Sequence, residues 1–575
     1  MDLLMKRYLL ACSLIVLPTM VTLAEPPPTQ QLNNRQLINQ VSDQQLIHQQ
    51  ERDKAIQDTL TPSSPDIHLL APSSETGEII FPTEPLCFNI EQVQLLERDK
   101  LPWFIPINKL ARQADHHCLG AEGISLLMSK IQDRLVSYGY ITTRVVVPEQ
   151  DLTSGTLQLL LVEGKVRKLY YSDDSDKYAQ LYTAMPVREN STLNLRDIEQ
   201  GLENLQRLPT VSTQMELVPG DKPGESDVVI SRRQSKMWRL GLSVDDSGTK
   251  TTGRDQGGAT LYLDNLLSLS DSFYASGGHD INGKGKYGSR NFLLSYSIPF
   301  GYWLLSTSLS GNKYHQTIAG QNENFEYSGR SRNANIQLSR VIHRNESQKT
   351  TLSYGITLRE SHNYINDTEM ELQQRKTTNW QLGLQHRHYI NDITLDAGVT
   401  YQKGVRWFNA KKAPEENNGE YDSSALANIF LINFSANIPF SVKQQPFRYR
   451  FDYQGQYTRG DHLTSPDQFS IGGRWSVRGF DGELTLRADH GWYIRNELVW
   501  QAPFNHEPYL GIDTGEVSGA KSEYLLGRHL TGGVIGIRGN NYGFYYDLFA
   551  GKPIHKPKGF QTNPLALGFN VNWNY

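Results

Sequence analysis

Long hydrophobic runs are the first thing this 575-residue chain lacks. Beyond the N-terminus no stretch of about eighteen apolar residues survives, which excludes a helical membrane protein. The mean hydropathy is negative. A transmembrane barrel remains open, because half of each barrel strand faces water and dilutes the signal. An excess of either charge is also lacking: 57 Lys and Arg stand against 61 Asp and Glu, and the net charge of −4 gives no sign of a nucleic-acid partner. Catalytic motifs are missing, with no G-x-S-x-G elbow and no two-histidine helix motif. Neither an enzyme nor a cofactor is expected.

Cysteine is rarer still, with three in the chain. One falls in residues 1–24, which read as a secretory signal: Lys6-Arg7, an apolar run over 8–17, and Thr22-Leu23-Ala24 before Glu25. Leu9-Leu10-Ala11-Cys12 resembles a lipoprotein cleavage site, but only four residues separate Arg7 from Cys12. Cleavage after Ala24 is therefore expected, leaving Cys87 and Cys118. One pair in an exported chain reads as a disulfide in the oxidising periplasm. Closing a loop of about thirty residues is worth ~3–4 kcal/mol in the chain-entropy picture. His116-His117 have no further ligand at fixed spacing and read as a polar turn.

What is present falls into four blocks. Residues 25–60 are glutamine-rich, with Gln30, Gln31, Gln36, Gln40, Gln44, Gln45, Gln49, Gln50 and Gln57. No wide apolar stripe forms, so this block is either disordered or a helix held inside a polar cavity. Ser42 followed by Gln45 is a candidate capping box. Residues 61–85, rich in Pro and Ser, form a flexible, extended linker. Residues 86–164 read strand–helix–helix–strand–strand. Residues 88–95 are the first strand, Ile124, Leu127, Met128, Ile131, Leu135 and Tyr138 keep helical spacing, and 143–147 and 156–162 are closing strands. Residues 165–236 repeat the pattern: a strand over 166–171, a helix opening at Leu195, and strands punctuated by Pro219-Gly220 and Pro223-Gly224. Two consecutive small α/β modules are expected.

Residues 237–575 are alternating strands and polar loops with no credible helix. Phe447, Tyr449, Phe451, Tyr453 and Tyr457 alternate with Arg448, Arg450, Asp452, Gln454 and Gln456. A charged face opposite aromatics fits a watery lumen better than a protein core. About 340 residues hold roughly 14–18 membrane strands. The content of 29 Tyr, 20 Phe, 9 Trp and 47 Gly suits such a structure. The terminus at 567–575 repeats the alternation: Leu567, Phe569, Val571, Trp573 and Tyr575 share one face, and Gly568, Asn570, Asn572 and Asn574 the other. In a closed barrel this strand pairs with the first one, over 238–244.

Three weak signals take bland readings. Gly283-Lys284-Gly285-Lys286-Tyr287-Gly288 matches G-x-G-x-x-G, but no helix follows and it reads as a hairpin loop. His386 and His388 share a strand face without a third ligand, which reads as a polar lumenal face. Asp245-Asp246, before Ser247-Gly248, sits in a turn. Ser476-Val477-Arg478-Gly479-Phe480-Asp481-Gly482 says more, because it interrupts the strand pattern. Downstream, alternation puts Gly511, Asp513 and Gly515 on one face of a strand, leaving space around a carboxylate. Two readings stand for Arg478: a solvated loop, or a loop folded into the lumen that sets it against Asp513.

The chain resembles the two-partner secretion transporters of the outer membrane, the Omp85-superfamily branch of the haemolysin and filamentous-haemagglutinin exporters. The resemblance covers essentially the whole mature chain. It runs through Pro85-Leu86-Cys87-Phe88, Cys118-Leu119-Gly120, Gly139-Tyr140-Ile141-Thr142-Thr143-Arg144 and the segment 193–202. It continues through Asp245-Asp246-Ser247-Gly248, Thr252-Gly253-Arg254, Val477-Arg478-Gly479-Phe480 and Gly491-Trp492-Tyr493. It implies an N-terminal plug helix (25–60), two periplasmic POTRA modules (86–164 and 165–236) and a 16-stranded antiparallel transmembrane β-barrel (237–575) in the outer membrane. The modules would capture the secretion domain of a large, unfolded exoprotein, by edge-strand pairing and a groove. The barrel would pass it to the surface without nucleotide hydrolysis. The passenger would be a haemolysin, adhesin or contact-dependent inhibition toxin. Val477, Arg478, Gly479 and Phe480 would form the lumenal loop, with Asp513 its partner on the wall. Phe569, Trp573 and Tyr575 would be the signal read by the barrel assembly machinery. The cysteine pair occurs in only part of this family, so its disulfide rests on the redox argument. Two rivals remain: an assembly factor for membrane proteins, and a passive porin, which has no reason to carry two periplasmic modules.

Overall fold

The computed structural model describes residues 34–61, 67, 69, 78–283, 285–319, 324–417, 423–460, 462–520 and 522–575, with the backbone alone for 34–41. The expected signal over 1–24 and most of the expected linker over 61–85 lie outside the described residues. The main compact body is Ser42–Tyr575.

Its largest part is a closed barrel. The strands are β1 (Trp238–Asp245), β2 (Gln256–Asp264), β3 (Ser272–Asp280), β4 (Gly288–Phe300), β5 (Trp303–Ala319), β6 (Asn324–Arg344), β7 (Gln348–Ile365) and β8 (Arg375–Ile390), followed by β9 (Ile393–Val405), β10 (Asn428–Val442), β11 (Gln445–Thr458), β12 (His490–Trp500), β13 (His506–Ser518), β14 (His529–Asn541), β15 (Phe544–His555) and β16 (Ala566–Asn574). Every neighbouring pair is antiparallel. Alternation decides which way each residue faces. On β5, Trp303, Leu305 and Leu309 are exposed outside, whereas Ser310, Asn312, Tyr314 and Gln316 are buried inside, as a strand between lipid and lumen requires. The seam forms where expected. β16 runs from Asn570 opposite Asp245 to Asn574 opposite Gly241, and Tyr575 N–H donates to the Leu240 carbonyl at 2.9 Å. Tyr575 packs 5.8 Å from Trp238, with the Lys236 ammonium 4.4 Å from its ring.

Two expectations for the barrel need correction. A helical turn, Pro414–Asn417, interrupts the β9–β10 connection. His386 and His388 share a face, but not the lumenal one. Arg375, thirteen positions before His388 on an unbroken register, points inward, so the even-numbered positions point outward with Leu382 and Leu384, which are exposed.

The first module has a three-stranded sheet, with Gln92–Leu96 parallel to Thr156–Val162 and Arg144–Val146 antiparallel on its far side. Helix α2 (Ala121–Ser137; α1 is the N-terminal helix Asn34–Leu60) covers it through Leu127, Ile131 and Leu135. The expected single strand over 88–95 is two. Glu91 and Gln92 both donate to the Gly155 carbonyl, bending the chain, and Phe88–Ile90 turns away to pair with His117–Leu119. Cys87 and Cys118 staple this small sheet with a disulfide, their Cα atoms 5.3 Å apart. Glu84 accepts from the N–H groups of Gly120, Glu122 and Gly123 at the start of α2. Desolvation acts against ionisation there, but those three donors outweigh it and hold the carboxyl below its ordinary value.

The second module pairs Lys165–Tyr171 with Glu225–Gln234, and the latter with Val211–Pro219. Helix α3 (Leu195–Gln206), capped by Asn194 through the Arg196 N–H, buries Ile198, Leu202 and Leu205 in the module core. Its other face sits on the barrel. Asn204 donates to the Gly301 carbonyl at 2.7 Å. Arg344, at the β6–β7 turn, donates to Glu199 at 3.1 Å and Glu203 at 2.8 Å. The turns that α3 touches therefore mark the periplasmic rim.

Candidate functional site

The lumen is filled from two directions. From Ser42 onward α1 lies inside the barrel, and its polarity is matched by the wall. Ser42 accepts from Asn363 at 2.8 Å and Asp43 pairs with Arg375 at 3.2 Å. Gln45 donates to Thr251 at 2.9 Å, and Arg52 to Ser247 at 3.0 Å. Asp53 accepts from Ser310 at 3.1 Å and Asn312 at 3.0 Å. Apolar burial is sparse: Ile47 is buried midway along the helix, and near its end Ile56 and Leu60 meet Tyr262, Tyr274 and Leu293. The sequence left disorder or a helix in a polar cavity open; the second holds. The proposed capping box does not, because the helix already runs through Ser42 and both side chains bond the barrel instead.

The second filling is the β11–β12 connection, residues 459–489, which folds back into the barrel. It carries its own hairpin, Phe469–Ile471 with Leu486–Ala488. A small core joins Val477 and Phe480 to Val517, Leu530 and Phe560, Phe480 and Phe560 meeting edge to face at 5.8 Å. Arg478 is 4% exposed and Asp513 not at all. Arg478 donates to Asp513 from Nε at 2.6 Å, from Nη2 at 2.8 Å and from its backbone N–H at 3.0 Å. Its third nitrogen, Nη1, donates to Glu497, which also pairs with Arg538. Such a forked, charge-assisted arrangement is strong and directional.

Close approach of the loop to the wall depends on small residues. Gly479 adopts φ +105°, and a Cβ there would lie 2.7 Å from the Lys552 carbonyl. Opposite it, Gly532 and Gly551 leave no room for side chains, since a Cβ on either would collide with the loop backbone. Gly511 and Gly515 flank Asp513 beneath the guanidinium and Val477.

Sequence reasoning identified Val477, Arg478, Gly479, Phe480, Asp513, Gly511 and Gly515 and missed Glu497, Arg538, Gly532, Gly551 and Asp246. Glu497 was within reach, because Arg495 and Glu497 alternate on β12 as Arg448 and Arg450 do on β11. Gly532 and Gly551 carried no such signal. Asp246 had been given no role, yet it is 8% exposed and ties three segments together. It accepts from Arg474 of the lumenal loop at 2.6 Å, from Arg254 at 2.8 Å and from the Phe569 N–H on β16 at 2.9 Å.

A closed sixteen-stranded barrel, plugged by a polar helix and carrying α/β modules on its periplasmic rim, defines an outer-membrane transport pore of the Omp85 class. Comparison with known proteins agrees. Residues 224–539 match the family described as haemolysin secretion/activation protein ShlB/FhaC/HecB. Residues 88–164 match a ShlB-type POTRA domain and 165–219 a POTRA domain. The outer membrane transporter CdiB-2 of Burkholderia pseudomallei (strain 1026b) is 34% identical, over 96% of this chain and 97% of its own. The hemolysin transporter protein HpmB of Proteus mirabilis is 27% identical, over 72% of each. The solved structure of CdiB from Acinetobacter baumannii superimposes with a TM-score of 0.79 at 28% identity, covering 95% of this chain and all of that one.

The chain belongs to the ShlB/FhaC/HecB family of two-partner secretion transporters. It is an outer-membrane translocator that moves a large exoprotein through a POTRA-guided barrel pore, and a channel rather than an enzyme.

Proposed function

We propose that export runs through the lumen after α1 leaves it, while the lumenal loop stays in place. The contrast between the two fillings supports this reading. From Ser42 to Asp53, α1 is held by separate hydrogen bonds, each worth a net ~0.5–1.5 kcal/mol, and by one largely buried ion pair, Asp43 with Arg375, whose guanidinium is also forked onto Glu415 and so keeps a partner when the helix leaves. The loop is held by a buried guanidinium shared between two carboxylates, and breaking such a pair costs about 3–5 kcal/mol. The helix is the part built to move. Once vacated, the charged, amide-rich wall offers an extended chain no large apolar patch on which to stall. The periplasm supplies no nucleotide, so direction comes from folding of the passenger outside. The working parts are then the plug over 25–60, the linker over 61–85, capture modules over 86–164 and 165–236, and the pore over 237–575.

The passenger we infer is a large β-helical exoprotein of the contact-dependent inhibition type. The transporter CdiB-2 of Burkholderia pseudomallei aligns over 96% of this chain and 97% of its own, whereas the haemolysin transporter HpmB aligns over 72% of each. β16, with Phe569, Trp573 and Tyr575, would be the end presented to the barrel assembly machinery. The test is secretion of the long exoprotein encoded beside this gene by cells carrying Arg478→Ala. Export should fall about tenfold or more while the barrel remains inserted and folded. Undiminished export would remove the loop from the mechanism. If the neighbouring gene encodes no such exoprotein, the cargo assignment is wrong.

A further inference from the structure

On the outer surface of the barrel, at the end away from α3, five basic or titratable residues stand side by side. His279 on β3 is opposite Arg290 on β4, Arg290 opposite Lys313 on β5, Lys313 opposite Arg330 on β6, and Arg330 opposite His362 on β7. Their direction follows from alternation. Asn312 and Tyr314 are buried in the lumen beside α1, so Lys313 between them points outward, and Arg290 and Arg330 with it. All three are exposed. Among the described residues, no carboxylate forms an ion pair with any of them. Arg330 instead lies over the ring of Tyr364, 5.5 Å from its centroid.

Directly opposed like charges destabilise a sheet, because their side chains are held only about 5 Å apart at Cβ. Three unpaired cations in one row therefore imply a ligand that neutralises them together. Height along the barrel indicates which. Phe292 is the next outward residue below Arg290, and Leu309 lies two outward steps below Lys313; both are exposed on the lipid face. At about 3.4 Å per residue and a tilt near 40°, the row stands roughly 5–10 Å above the apolar band. The periplasmic rim is the other end, so this is the headgroup level of the outer leaflet. There, in an outer membrane, the abundant anions are the phosphates of the glycolipid. Strands β3 to β7 and the β3–β4 connection line an open concavity of about 790 Å³ at this place, which includes Arg290, Lys313, Arg330 and Tyr364 together with the carboxylates of Asp280, Glu326 and Asp367; none of the three carboxylates pairs with the cations of the row.

The geometry points to a binding site for the phosphorylated headgroup of an outer-leaflet glycolipid, built from Arg290, Lys313 and Arg330. The two guanidinium groups fork onto phosphate oxygens and the central ammonium bridges them. His279, beside Asp280, and His362, held by Glu360 and Glu369, bound the row at its ends and are not part of the site. Acyl chains of the same molecule lie against Phe292 and Leu309, which ties the headgroup to the lipid face and distinguishes it from free phosphate.

Purified transporter in detergent, examined by native mass spectrometry with bis-phosphorylated lipid A, tests this. The wild-type protein should hold the lipid, and the triple variant Arg290→Gln/Lys313→Gln/Arg330→Gln should hold it on the order of a hundredfold more weakly. Arg340→Gln, at the periplasmic end of β6, should change nothing. Wild-type protein should also discriminate strongly against dephosphorylated lipid A, and millimolar inorganic phosphate should not displace the bound lipid. Equal retention by the wild type and the triple variant would overturn the site. So would equal binding of dephosphorylated lipid A, a comparison that needs no variant to fold. Displacement by inorganic phosphate would make it a small-anion site and overturn the lipid assignment.

Discussion

Arg478 reaches two carboxylates at once because its backbone is brought against the barrel wall at Gly479. That residue combines a left-handed φ with a position facing the Lys552 carbonyl and Gly532. Alanine there meets both obstacles, with a local cost of about 1–3 kcal/mol from the backbone alone. Gly479→Ala should loosen the loop without unfolding the barrel. Trypsin applied to intact folded protein should then nick within 459–489 where the wild type resists. Equal resistance would mean that the loop accommodates the methyl group. At this scale the sequence was partly legible. The glycine-flanked carboxylate on β13 marked a place where another segment comes close. The second anion, Glu497, could be placed on a charged strand face but not matched to its cation, and the pinning carboxylate, Asp246, stayed hidden, because each gains its meaning from a cation remote in the sequence, Arg478 and Arg474. His386 and His388 were misplaced for a different reason. Period-two alternation shows which residues share a face, but the inward face is fixed only by a contact such as Asp43 with Arg375.

Two elements carry predictions of opposite kinds. Helix α1 is held by weak, separable contacts, so Arg52→Ala and Asp53→Ala should each shift the plug toward the open state by a few-fold, the equivalent of about one hydrogen bond. Planar-bilayer recording should show a larger fraction of open time, and the two changes combined should exceed either alone. Unaltered recordings would place the grip elsewhere on the helix. Helix α3 is held by charge. Glu203 faces Arg344 and Lys349 and accepts from the Ile67 N–H of the linker. Burial raises its carboxyl, but these cations outweigh that and hold it below its ordinary value of 4.5. A carboxyl lowered in the folded state adds stability above its ordinary value and loses it as pH falls through the lowered one. Asp197, on the same helix and lifted by burial, acts in the reverse sense and takes its proton first. The junction should therefore hold through mild acid and open only below about pH 4. Pepsin cleavage between residues 61 and 85, followed from about pH 5 to about pH 3, should rise at the lower end in the wild type. In Glu203→Gln it should already be raised at the upper end. That Ile67 and Leu69 of the linker dock on Glu203 and Glu199 of α3 was not legible in its Pro- and Ser-rich composition, which speaks of flexibility and nothing of docking.

For the whole molecule, barrel, plug and modules were legible in outline because each has a physical signature: alternation opposite aromatics, amides without an apolar stripe, and a repeated strand–helix order. Strand number was not, since 340 residues accommodate several closures and only the register settles on sixteen. The central claim is that the passenger uses the lumen α1 now occupies. Its most direct test joins cysteines introduced at Gln45 and Thr251, whose side chains hydrogen-bond at 2.9 Å, with a short bismaleimide. The native pair, Cys87 and Cys118, is already bonded and does not compete. Secretion of the exoprotein is then measured against either single cysteine treated in the same way. Export should fall to background in the tethered protein and remain normal in both controls. Full export with the tether intact would contradict the account.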